Sequence, residues 1–186
     1  MFVALLIGFA PLVVFCLFAH LSLHLALWLA FATAFSFAIR AFLDTGRLRL
    51  FDAANTLLFG LLALYVAFIQ PGLELSWVGL ILEIGLLVMA LGSVATRRPF
   101  TTEYAVALIL PEHWRAPRFL RANYWLSWVW VATFAAMAFA DSMNLFLHTV
   151  APNLATGTGL VALAGALIYT WQRGIRIGGR FGRSPP

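Results

Sequence analysis

Apolar residues run along this chain in six long blocks separated by short polar breaks, at about residues 2–19, 25–43, 53–69, 75–95, 123–146 and 154–172. A helix that crosses the hydrocarbon core of a bilayer needs roughly 20 apolar residues, and each block approaches that length. No period-two alternation of a barrel appears, and an open strand cannot satisfy its backbone in lipid. The pattern predicts an all-α fold, a polytopic transmembrane helix bundle of six segments forming a single domain over residues 1–186. The first segment carries Pro11 in its middle and reaches the second through only the 20–24 break, so a re-entrant arm is its alternative. No basic residue precedes the first run and no clear small-residue cleavage site follows it, so it is expected to stay in the mature protein.

The connection 96–122 is the one sizeable stretch that does not span. Pro99, Thr101, Thr102 and Glu103 predict a helix start, and Pro111 a stop. Phe100, Tyr104, Ala107 and Leu108 recur at three- and four-residue spacing, which predicts an interfacial helix with its apolar side toward the lipid. Trp114, Arg115, Arg118 and Arg121 follow, mixing aromatic and basic groups as the headgroup layer favours. A docking surface for a partner is the other reading of this stretch.

Composition closes off the soluble alternative. The chain is 63% hydrophobic and only 10% charged, with a mean hydropathy of +0.94, so the bilayer must act as solvent for most of it. The twelve basic residues are all arginines in three groups: Arg40, Arg47 and Arg49; Arg97, Arg98, Arg115, Arg118 and Arg121; Arg173, Arg176, Arg180 and Arg183. The breaks at 20–24, 70–74 and 147–153 carry no basic residue. Under the positive-inside rule the arginine-bearing connections are cytoplasmic, both termini lie inside, and 173–186 is a basic cytoplasmic tail. These arginines flank apolar spans, so the net charge of +5 speaks for anionic lipid headgroups and against nucleic acid.

Candidate chemistry is sparse. Glu83 lies about eight residues into the fourth segment, roughly 12 Å from its start at the helical rise, bordered by Gly79, Gly85 and Gly92. An embedded carboxylate is a candidate proton- or cation-responsive group; the alternative is a structural carboxylate bonded inside the bundle. Asp141 and Asn144 share one face of the fifth segment, with His148 one turn on. His20 and His24 have the i, i+4 spacing of a metal pair, but they straddle a turn, and neither metal nor cofactor is expected. Asn55 and Thr56 read as caps or as bundle hydrogen bonds, and Cys16 as a small buried hydrophobe. Most tryptophans mark interfacial belts, whereas Trp125, Trp128 and Trp130 are denser than a belt requires and suggest a helix or pigment contact. Spacings such as Gly157 to Gly165 favour close packing or a homo-oligomer. No nucleophile elbow, phosphate loop or HExxH is present, so no enzyme is expected.

Several short motifs resemble the bacterial intracellular septation protein A family of multi-pass inner-membrane proteins. They are Pro11-Leu12-Val13-Val14-Phe15 in the first segment, Arg97-Arg98-Pro99 at a basic break, Pro111, Trp114 and Asn123 leading into the fifth segment, and Asn144 late in it. That family usually carries lysines, and this chain has none. The resemblance implies a non-enzymatic role in cell division or envelope maintenance through membrane-protein partners. The residues leave open two other readings, a small-solute or ion transporter built on Glu83 and an accessory subunit of a respiratory or photosynthetic complex.

Overall fold

The computed structural model describes residues 2–106, 110–147 and 152–181. It is helical at all six apolar segments, and no strand occurs among the described residues. The helices are α1 (Phe2–Ala19), α2 (Leu23–Thr45), α3 (Leu50–Phe68), α4 (Leu75–Ala95), α5 (Phe100–Ala105), α6 (Pro117–Leu147) and α7 (Pro152–Phe181), with a 3-10 turn at Pro111–His113. Among the described residues four helices are long and apolar enough to cross a membrane: α2, α3, α4 and Pro117–Phe146 of α6. The described residues are therefore all-helical, with four helices that could cross a bilayer. α1 is continuous through Pro11.

Two compact units divide the chain, one over Leu6–Met89 and one that joins Met1–Leu5 to the chain from Ala90. In the first unit, α2 starts where the Ser22 hydroxyl accepts the Leu25 N–H, one of the orphan donors of a helix start. Ala26, Ala30, Ala34, Ala38 and Ala41 make a buried small-residue stripe along α2, which lets a neighbouring helix approach closely. The buried face of α3 carries Phe51, Asp52, Asn55, Phe59, Leu62, Ala63 and Val66. Gly60 sits where an added Cβ would lie 2.9 Å from the Phe31 ring, and a Cβ at Gly85 would collide with Leu58. Gly92 faces open space, so of the glycines bordering Glu83 it provides no close approach. The core here is almost wholly apolar, from Phe15 and Leu27 through Phe59 to Val78 and Leu82.

The second unit packs α5 and α7 against α6. Its buried residues include Phe100, Tyr104, Phe119, Trp130 and Phe134, but also Thr101, Asn123, Ser127 and Thr170. Trp130 is fully buried and donates its indole N–H to Thr170 Oγ1 at 3.2 Å, while Thr170 donates to the Ala166 carbonyl at 2.7 Å. Trp125 and Trp128 are exposed, so the three tryptophans do not form one cluster.

Helical hydroxyls bond within their own helices. Thr33, Ser36, Thr45, Thr56, Thr96, Thr133 and Ser142 each donate to the carbonyl one turn back, which hides a polar group that lipid cannot solvate. The arginine-flanked boundaries differ from the apolar blocks. α6 begins at Pro117, before the apolar run, and α7 continues helically to Phe181 through Arg173, Arg176 and Arg180, where a basic tail was expected. Residues 182–186, including Arg183, lie outside the described residues.

Candidate functional site

Glu83 lies in the middle of α4 and is half-buried, with one carboxylate oxygen shielded from solvent. Asp141 and Asn144 are half-buried on α6, near its end. Glu83 belongs to the first unit and the other two to the second. His148 lies outside the described residues. His20 falls in the turn after α1 and His24 inside α2, so no continuous helix presents them as a pair. Among the described residues no group of three His, Cys, Asp or Glu side chains is placed to hold a metal. Cys16 is exposed, contrary to the buried position expected for it, because it falls on the outer side of α1 rather than on the face that buries Phe15.

Asn55 proves to be a bundle hydrogen bond and not a cap. Its Nδ2 donates to the Gly8 carbonyl of α1 at 3.2 Å, and the Phe51 ring one turn earlier packs on Phe9 with centroids 4.8 Å apart. A second buried asparagine, in the second unit, bonds within its own helix instead. Asn123 is fully buried, its Nδ2 donating to the Phe119 carbonyl at 3.0 Å, and Phe119 is fully buried. The sequence signal for both was available: Phe51-Asp52-Ala53-Ala54-Asn55 and Phe119-Leu120-Arg121-Ala122-Asn123 share the pattern Phe-x-x-Ala-Asn, each just after arginines.

The most developed site is the junction of α4, α5 and α6 in the second unit. α4 ends in a helix-terminating turn in which the Arg97 N–H bonds to the Val94 carbonyl at 3.0 Å and the Arg98 N–H to the Ser93 carbonyl at 2.9 Å. This bonding pattern places a left-handed residue just past the helix, a position usually taken by glycine. Here it is Arg97, with φ 58°. By contrast α2 ends on Gly46 at φ 65°.

Tyr124 of α6 reaches the same place. Its hydroxyl approaches the Val94 carbonyl at 3.4 Å, so one carbonyl meets both the turn and the neighbouring helix. From there Pro99 leads into α5, whose Thr101 hydroxyl contacts the Asn123 carbonyl at 2.9 Å and the Ser127 hydroxyl at 3.0 Å. Phe100 and Tyr104 are buried against the protein. The apolar side of this segment therefore faces inward rather than into lipid, and its helix ends at Ala105, ahead of Pro111. Ala107 and Leu108 of the expected pattern lie outside the described residues.

Around this locked frame the charged groups point outward. Arg97, Arg98, Arg115, Arg118 and Arg121 are all exposed, and none has a carboxylate within ion-pair distance among the described residues. Trp114 and Trp125 are exposed on the same unit. Glu112 is paired with His113 at 3.4 Å.

The first unit offers a different surface. The outer face of α3 bears two open apolar grooves, of about 410 and 660 Å³. Leu61 and Leu64 line both; Trp28, Phe31 and Gly60 complete the first, and Tyr65, Phe68 and Ile81 contribute to the second.

Comparison with known protein families, with characterised proteins and with solved structures returned no match. The likeness to septation protein A therefore rests on the short motifs of the chain alone.

Proposed function

We propose that this is a non-enzymatic bacterial inner-membrane protein of six spans, with both ends cytoplasmic, that works by holding partner membrane proteins in cell division or envelope maintenance. α1 and α7 complete the span count, and the arginine-bearing connections then all face the cytoplasm. One observation carries the interaction role, the outer face of α3. A ridge of Leu57, Leu61, Leu64 and Phe68 stands exposed between two apolar grooves, and relief of this kind accepts the side chains of another helix. A partner helix or a second copy of the chain is the occupant this surface suits.

Mild-detergent affinity purification from the native membrane tests the reading. Wild type should retain division or envelope proteins. Leu61→Trp and Leu64→Trp, which fill the grooves at exposed positions, should release them while the protein stays folded. Retention of the same partners by both variants, or none in wild type, contradicts the proposal. Glu83 favours one second reading, an ion or solute pathway, because one oxygen of a mid-helix carboxylate is shielded from solvent. Flux into vesicles that falls in Glu83→Gln would support it; equal flux would remove it.

A further inference from the structure

We propose that the junction of α4, α5 and α6 is a binding site for the phosphate headgroup of an anionic phospholipid, with Arg97 as its central ligand. The starting point is the backbone of Arg97. A residue with a Cβ is strained in the left-handed region, and glycine takes that conformation at little cost. Arg97 occupies it at φ 58°, inside a turn whose two hydrogen bonds fix its place. The turn does not need a side chain there, so the guanidinium is what the position supplies.

Three further observations identify the ligand class. The Val94 carbonyl meets both the Arg97 N–H and the Tyr124 hydroxyl, which holds Arg97 beside the first turns of α6, where Arg118 and Arg121 are exposed. Thr101 fastens α5 to Asn123 and Ser127 of the helix that carries Arg118 and Arg121. The arginines have no carboxylate partners among the described residues. Guanidinium groups bind phosphate oxygens in a matching planar fork. The exposed indoles of Trp114 and Trp125 belong at the level of headgroups, which favours a lipid over an acidic protein. This inference rests on the membrane reading of the chain and is independent of partner binding at α3.

The test uses the full chain in nanodiscs of phosphatidylcholine with a minor fraction of phosphatidylglycerol. Brominated phosphatidylglycerol, and separately brominated phosphatidylcholine, report by tryptophan quenching which lipid sits beside the protein. Wild type should prefer phosphatidylglycerol, and the preference should fade at high salt. Arg97→Gly should reduce it about fivefold, the effect of one basic residue near a charged surface, with thermal stability equal to or above wild type. Arg97→Lys should keep most of the preference. The proposal is overturned if Arg97→Gly retains full preference, or if wild type shows no lipid preference and instead binds an acidic polypeptide in lipid-free detergent.

Discussion

The two units bury different kinds of side chain. In the first, α2 and α3 meet through alanines, Gly60 and large apolar groups, and Asp52 and Asn55 are the polar side chains buried inside among the described residues. In the second, α6 presents Asn123, Ser127 and Trp130 inward, and Thr101 and Thr170 answer from α5 and α7. Lipid tails are as apolar as leucine, so helices in a bilayer associate by close packing and by hydrogen bonds between them. The first unit leans on packing, the second adds hydrogen bonds. The bonded unit is also the one in which α5 is tied to α6.

This contrast can be broken at its strongest point by Trp130→Ala. Removing a fully buried indole should lower stability by about 3–5 kcal/mol, read from thermal unfolding in detergent, whereas Trp130→Phe should lose about 1 kcal/mol for the hydrogen bond to Thr170. Gly85→Leu probes the packing of the first unit. Its side chain would displace Leu58, and overpacking should cost about 1–3 kcal/mol. Thr101→Val keeps shape and removes the hydroxyl, so it should cost about 1 kcal/mol; faster proteolysis within 96–122 would accompany it.

The smallest effect separates the two helix ends. Gly46→Ala should cost about 1 kcal/mol, because φ there is 65°. Arg97→Gly should gain about as much. Equal signs for the two would contradict the reading of Arg97 as a residue kept for its charge.

The helices were legible in the sequence because run length and the lipid constraint leave little else. Segment four matches α4, Leu75–Ala95, at both ends, and segment one matches α1, Phe2–Ala19. Ends beside arginines were not, since α6 and α7 extend past their apolar windows on arginine-bearing turns that hydropathy does not register. The faces of α5 were also hidden. Phe100 and Tyr104 spaced on one side of a helix look the same whether they meet lipid or, as here, protein. Trp130 was grouped with Trp125 and Trp128 by sequence proximity, yet at about 100° per residue it points away from both. Glu83, Asp141 and Asn144 were placed correctly on their helices, but sequence carries no information on whether separate helices bring such groups together. Arg97 was read only as one charge among five; its left-handed backbone is set by the turn after α4 and leaves no mark in composition.

In the proposed topology every arginine-bearing connection lies on one side of the membrane and the uncharged turns on the other. Single cysteines at Ser22, Gly46, Gly72 and Thr96, in a chain with Cys16→Ala, test it by labelling sealed right-side-out and inverted vesicles with an impermeant maleimide. Positions 46 and 96 should label only in inverted vesicles and positions 22 and 72 only in right-side-out ones. Labelling of positions 22 and 46 from the same side would contradict it.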